Sequence, residues 1–410
     1  MNASAAEPLA GLRVLDFGHT VMGPSCGLIL GDLGADVLRI EPAPNGDPTR
    51  RLKGFGTGYF GFYNRNKRSF AVDLKTPEGL EITKRLLADS DVLIENFGPG
   101  TMERLGLGYP VVAELNPRLI YASLKGFLTG PYEERLALDE VVQMMSGLAY
   151  MTGPSGRPLR AGTSIIDITG GMFAVIAILA ALRIRDATGK GQLVESALFE
   201  TAAFLMGQHL CYSAQNSEPI PPMPERVSAW AIYETFPVND GRQIFVGITT
   251  DSHWQRFCAV TGRDDLARDT GLAANNDRIA ARPRLVPIIR DYFASLSMDQ
   301  AVEICSKARI PFAPIAHPED LFDDPHLRDT EFLLPTRLPG NIATRLPRLP
   351  VSLAHSKPGL RRNPPNMGSD TREVLRDLGF KEAEVTDLLA RGVVAVDPTE
   401  TEKNQREKMS

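Results

Sequence analysis

The chain has 410 residues, with 45 lysines and arginines against 50 aspartates and glutamates, a formal net charge of −5 at pH 7. A mildly acidic balance supplies no overall field to gather nucleic acid or an anionic membrane, so neither is expected as a partner. Hydrophobic residues make up 43% and charged residues 23%, the composition of a globular protein, and a chain this long divides into two domains more readily than it closes one core.

Met1 to Leu9 carry no basic start and no apolar core, so no signal peptide is expected. Leu12–Phe17 reads as a short apolar strand, Gly18–Pro24 as a loop and Ser25–Leu33 as a helix ending at Gly34. Asp36–Ile40 is a second strand. The basic run Asn64–Arg68 then precedes Ser69–Leu74. Pro77–Leu87 is amphipathic and opens with proline, which suits a helix N-terminus. Asp91–Glu95 and Leu119–Leu124 read as a third and a fourth strand. Strand, helix and strand at this spacing predict parallel βαβ units and an open α/β sheet. Ligands of such sheets lie beyond the carboxyl ends of the strands. Those ends are Gly18–Gly23, Glu41–Asp47, Asn96–Gly100 and Lys125–Gly130.

The most hydrophobic run, Met172–Leu182, stops at Arg183 and is too short to cross a bilayer, which takes about 20 residues. It is read as part of a buried helix, Gly170–Ile184, followed by a second apolar helix, Leu193–Met206. Pro219–Pro224 reads as a linker. Ala231–Phe236 and Gln243–Gly247 are expected as antiparallel strands around the turn Asn239-Asp240-Gly241. Helices continue to about Lys307, then Phe312–Ile315 follows. A large domain is therefore expected over 1–218 and a smaller α/β domain over 225–330. The remainder, 331–410, comprises a segment rich in proline and arginine, Leu334–Pro365, helices at Thr371–Leu378 and Glu382–Ala390, and a polar tail read as disordered after Val396.

Several chemistries lack their motifs. Cys26, Cys211, Cys258 and Cys305 are far apart, without CxxC or histidine partners at ligand spacing, so no metal site and no disulfide framework are expected. Reduced, buried thiols in a cytoplasmic protein are the reading. The first loop, Gly18 to Pro24, is not GxGxxG, which removes the main support for a nicotinamide dehydrogenase. There is no GxSxG elbow, and none of the histidines lies in a triad motif. The Asn64–Arg68 run, Lys75 and Arg104 read as solvated charge or as cations for an elongated polyanion such as coenzyme A. Asp167 lies in Thr163–Gly171, just before the apolar helix, between Ile166 and Ile168. Either it or Thr169 caps that helix, or it is a reactive carboxylate, since an aspartate in apolar surroundings is expensive to bury without a purpose. Gly170-Gly171 would leave open space beside it.

In order and spacing these blocks resemble the family III CoA-transferases (the CaiB/BaiF family, with the formyl-CoA and carnitine CoA-transferases), over Leu9 to Gly379. The resemblance rests on Leu9–Arg50, on Asn64–Gly79 (NRNKRSFAVDLKTPEG) and on Asp91–Tyr109 (DVLIENFGPGTMERLGLGY). Thr188–Ala202 (TGKGQLVESALFETA) and PNMGSDTREVLRDLGF near the end complete it. It implies a large Rossmann-like domain built from both chain ends plus a smaller α/β domain, in a homodimer of interlocked rings. It places the catalytic aspartate on Asp167 and the coenzyme A contacts on Val72, Asp73, Leu74, Lys75, Asn96, Phe97, Gly98 and Arg104. Compared with the formyl-CoA enzyme, an arginine is replaced by Pro42 and a Lys/Tyr pair by Leu136 and Leu138, and the glycine-run lid is missing from Arg226–Asp240. Formyl-CoA is therefore not the expected donor.

The implied reaction moves coenzyme A from an acyl-CoA thioester to a free carboxylic acid through aspartyl anhydride and aspartyl-CoA intermediates. Acyl-CoA is a substrate here, and no permanently bound cofactor is implied. An ordinary aspartate, with a pKa of about 3.9, is already ionised for that attack at neutral pH, and nearby backbone N–H groups would stabilise the oxyanions. The alternative within the superfamily is a 2-methylacyl-CoA racemase, which needs paired acid and base groups. Where racemases carry a His-Asp pair, this chain reads Leu136-Ala137-Leu138-Asp139. A coenzyme A-binding module without catalysis would give Asp167 no purpose. Arg160, Arg226 and Arg242 read either as surface charges or as partners for the second carboxylate of a succinyl-type dicarboxylic donor.

Overall fold

The computed structural model describes residues 7–397. Met1 to Ala6 and the expected disordered tail beyond Asp397 lie outside the described residues. The chain divides into two compact units, Met1–Ile220 with Asp329–Ser410, and Pro221–Arg328.

The first unit is built on a seven-stranded sheet. Its strands are β1 (Arg13–Asp16), β2 (Asp36–Pro42), β3 (Lys67–Val72), β4 (Val92–Glu95), β5 (Ile120–Lys125) and β6 (Leu193–Ala197). In the second unit β7 (Ile232–Pro237), β8 (Gln243–Ile248) and β9 (Phe312–Pro314) follow. The chain then returns to the first unit with β10 (Leu333–Leu338), β11 (Ile342–Pro347) and β12 (Val394–Ala395). The large sheet has the order β12-β3-β2-β1-β4-β5-β6, parallel except for β12, which runs antiparallel to β3. Alternate residues of the strands face two cores. Val14, Ile94, Ile120 and Ala122 meet the helices Met22–Asp32 and Ile165–Thr188 on one face. Leu15, Leu93, Phe70 and Tyr121 meet Pro77–Ala88, Thr371–Asp377 and Glu382–Ala390 on the other. The chain direction switches at β1 and β4, and the crevice outside this pair opens between the loops that follow them.

The expected strands and the α/β class are present, with four corrections. Lys67–Val72 is a strand whose polar start hides it, because Lys67 and Arg68 are paired with aspartates of other strands. Leu193–Ala197 is a strand that pairs with β5, so the second apolar helix begins only at Leu198. A short apolar run does not distinguish the two states. The first helix starts at Met22, inside the expected loop, since Pro24 is tolerated in a first turn. The segment rich in proline and arginine holds the hairpin β10–β11.

The apolar helix is also longer than expected. It runs 24 residues, Ile165–Thr188, and reaches a mean hydropathy of 2.3, enough by length and composition to cross a membrane. Ile166, Ala174, Ile178 and Ala181 bury one side of it against the sheet. Met172, Ile176 and Leu179 are exposed on the other, so the expected buried helix is covered on one side only.

The second unit is a three-stranded antiparallel sheet, β7-β8-β9, with helices packed on it. Its core stacks Phe236, Phe257 and Phe293. Gly241 has φ +84° in the predicted turn, a conformation that glycine adopts without strain.

Candidate active site

The loops after β1 and β4 form one wall each of a cavity of about 580 Å³, lined by His19, Asn96, Phe97, Gly98, Leu136 and Asp167 among others, all from the first unit. Gly18 and Gly23 let the β1 loop fold back on itself: a Cβ on Gly18 would lie 2.7 Å from the Gly23 Cα. Buried charges fix that loop from below. Lys67 Nζ donates to Asp16 Oδ2 at 2.7 Å and to the Pro24 carbonyl at 2.9 Å. Arg39, fully buried, donates to the Gly18 carbonyl and to Asp47. Arg65 pairs with Asp32. The Asn64–Arg68 run is therefore neither solvated surface nor a ligand contact but internal wiring.

Asp167 stands in the first turn of its helix and faces the cavity. It does not cap that helix. The cap is Asp139, whose Oδ2 accepts the N–H groups of Ile166 at 2.7 Å and Asp167 at 3.0 Å. No described group donates a hydrogen bond to the Asp167 carboxylate. Burial, then the charges of Asp139 and Glu140, push its carboxyl up to about 7, so it is not the ordinary aspartate of the sequence reading. Nor does the glycine pair leave open space. A Cβ on Gly171 would sit 2.1 Å from Ser25 Oγ, and one on Gly170 2.6 Å from Met22 Cε. The glycines bring two helices together and seat Asp167 beside the β1 loop.

The other predicted residues separate into two groups. Asn96, Phe97 and Gly98 share the cavity with Asp167. Val72, Asp73, Leu74 and Lys75 end β3 outside its lining: Val72 is buried, Asp73 N–H donates to the Val393 carbonyl at 2.8 Å, and Lys75 is exposed. Arg104 is exposed too, and donates to Thr101 Oγ1 at 2.8 Å. Arg160 pairs with Glu140 at 3.2 Å and Arg242 with Asp240 at 2.8 Å. Arg226 lies in the second unit.

Two buried carboxylates of the cavity had no role in the sequence reading: Asp139, named there only in the comparison with racemases, and Glu95. Glu95, pushed up by burial, accepts from the Ser123 hydroxyl and from the Phe97 N–H at 2.9 Å. In the same lining, burial and Arg39 hold the His19 imidazole below its ordinary value. Leu136 and Leu138 turn exposed side chains to the same space. Cys26, Cys258 and Cys305 are buried free thiols, whereas Cys211 is exposed, contrary to expectation. Among the described residues no group of three or more His, Cys, Asp or Glu side chains is arranged to hold a metal ion.

The sequence profile of CoA-transferase family III matches residues 9–371. The chain is 34% identical to an acyl-CoA transferase of Fusarium pseudograminearum, over 96% of this chain and 89% of that protein. It is 33% identical to the succinyl-CoA–L-malate CoA-transferase beta subunit of Chloroflexus aurantiacus, over 94% and 98% of the two chains. To the succinate–glutarate CoA-transferase of Agrobacterium fabrum it is 33% identical over 92% and 98%. A crystal structure of a CAIB/BAIF family protein from Brucella suis superposes with a TM-score of 0.80 at 31% identity, covering 90% of this chain and 99% of that one.

Proposed function

The chain belongs to CoA-transferase family III, and from that premise we propose that Asp167 carries the acyl group and then coenzyme A between a dicarboxylic acyl-CoA donor and a free carboxylic acid. One observation supports this role above the others. A carboxylate with no described hydrogen-bond donor, raised by burial and by neighbouring carboxylates, faces a cavity of about 580 Å³.

The Asp167 carboxylate oxygen attacks the donor thioester carbon, the C–S bond breaks, and coenzyme A leaves as thiolate. The thiolate then attacks the aspartyl carbonyl of the mixed anhydride. The donor carboxylate departs and an aspartyl-CoA thioester remains. The acceptor carboxylate attacks that thioester, re-forming an anhydride and thiolate, and thiolate attack on the acceptor's carbonyl yields the new acyl-CoA and the free aspartate. Reactants and products hold the same bond types, so exclusion of water matters more than driving force. The buried neighbours Val21, Leu28 and Tyr63, against which Ile168 packs, serve that purpose.

Lys75 and Arg104, both exposed, supply contacts for the nucleotide end of coenzyme A, whereas Val72 is buried in the core, and Asn96 to Gly98 flank the pantetheine arm. The names of the Chloroflexus and Agrobacterium relatives, with succinyl-CoA and succinate in them, support a dicarboxylic donor. The exposed apolar side of the Ile165–Thr188 helix supports a homodimer contact; an interlocked dimer working in the cytoplasm is the further reading that the family resemblance carries.

Asp167→Ala should abolish transfer while leaving coenzyme A binding nearly intact, and hydroxylamine added during turnover should mark the Asp167 peptide. Substantial turnover in the variant, or an unmarked peptide by mass spectrometry, would refute the covalent route. A panel of acyl-CoA donors and acids, read by mass spectrometry, tests the dicarboxylic class.

A further inference from the structure

The turn that carries Asp167 is organised by a second, more deeply buried carboxylate. Ser164, at the N-cap of the helix, makes no side-chain cap bond. Asp139, only 4% exposed, reaches across from its own helix (Asp139–Met145) to do so. Its Oδ2 takes the N–H groups of Ile166 at 2.7 Å and Asp167 at 3.0 Å. Its Oδ1 accepts from the Gln143 amide, whose own oxygen accepts the Ala161 N–H at 2.9 Å, which holds the strand of chain leading to the turn. The neighbouring N–H groups are used as well, Ile165 on the Thr163 carbonyl at 2.8 Å and Ile168 on the Ser164 carbonyl at 3.0 Å. The N–H groups of Ile165 to Ile168 are therefore all engaged, and oxyanion donors would have to come from other segments. What the turn has beside the nucleophile is a second carboxylate, that of Asp139.

We propose that Asp139 is the positioning residue of the Asp167 nucleophile: it fixes the turn that carries Asp167, and its charge raises the energy of the free carboxylate relative to the acylated forms. This rests on the CoA-transferase reading of Asp167. Both covalent states, anhydride and thioester, are uncharged at Asp167, so each acylation relieves the repulsion and each release restores it. The other ionisable groups that face Asp167 are Glu140, on the Asp139 helix, and Tyr63, on the helix Thr57–Tyr63. Glu140 is partly exposed and paired with Arg160. No described lysine or arginine pairs with Asp139.

The test is Asp139→Asn, which keeps an acceptor oxygen for the two N–H groups and removes the charge. Single-turnover acylation by succinyl-CoA is followed by intact-protein mass spectrometry from about pH 5.5 to 9. The midpoint should move acidward by about one unit. The variant should acylate faster than wild type near pH 6 and slower near pH 8.5, a crossing that lost packing does not produce. An unchanged midpoint with an unchanged rate above it overturns the charge role. Gln143→Leu provides the second arm, since it frees Asp139 without removing its charge. It should slow acylation several-fold at an unmoved midpoint, and a wild-type rate would overturn the positioning role. If the wild type forms no adduct on Asp167, the CoA-transferase reading of Asp167 fails instead, and the two failures are told apart.

Discussion

His19 and Asn96 exchange two hydrogen bonds across the mouth of the cavity, the His19 N–H donating to Asn96 Oδ1 at 2.6 Å and Asn96 Nδ2 donating to the His19 carbonyl at 3.0 Å. The Asn96 amide thus acts as a peptide-like link between the loops after β1 and β4. Asn96→Ala should cost about 1–2 kcal/mol of stability, as two part-buried backbone groups lose their partners. It should raise KM for acyl-CoA several-fold with a smaller effect on kcat, because the loop and not the nucleophile is loosened. Urea denaturation and steady-state kinetics check both, and an unchanged KM would show that the link does not shape the cavity.

Below that loop, Lys67 and Asp16 are both inaccessible and 2.7 Å apart. Burial alone would lower the lysine's pKa, and the Asp16 carboxylate opposes this. Lys67→Met removes one partner and leaves Asp16 with Arg39 at 3.3 Å and the Gly18 N–H at 2.8 Å. Breaking a buried pair from one side costs about 3–5 kcal/mol, and the remaining partners place this variant at the lower end. A loss below about 1 kcal/mol in chemical denaturation would mean that Arg39 satisfies Asp16 alone.

How far the fold could be read depended on whether a segment's partners were local. β1, β4 and β5 are apolar runs between turn residues, and they were legible. β3 was not, because a strand that opens Lys-Arg-Ser looks like surface until Asp16 and Asp36 are placed beside it. Asp167 drew notice as a lone carboxylate in an apolar stretch. The capping role of Asp139 was not legible, since the helix it caps begins far along the chain and no local motif marks a cap supplied from outside. The glycine pair after Asp167 could be read as space or as contact, and only the neighbouring helix, through Met22 and Ser25, decides for contact.

Met172, Ile176 and Leu179 line the uncovered side of the Asp167 helix, and Phe173 meets Phe204 edge-on beside them. Ile176 is 60% and Phe204 70% exposed in the single chain. Apolar patches of this kind mark interaction surfaces. Ile176→Glu together with Phe204→Glu should convert the proposed homodimer to lower-mass or aggregated species in light scattering coupled to gel filtration. A variant that elutes at the wild-type mass would place the dimer contact elsewhere.

Asp167 itself should make the protein less stable than it would be without that charge. Its carboxyl is pushed up to about 7 in the folded chain by burial and by Asp139, whereas the unfolded chain has the ordinary value of 3.8. The folded state therefore holds a proton that the unfolded state has already released over this interval. Stability falls as pH rises from about 4 to about 7, and the whole penalty is present above that. Asp167→Asn keeps the shape and removes the titration. Its stability should match wild type near pH 4 and exceed it by up to about 4 kcal/mol near pH 8, the upper bound set by the shift. Urea denaturation across that range measures it. A difference that stays flat with pH would mean that the carboxyl titrates normally, and that the nucleophile is ready at neutral pH without any help from its surroundings.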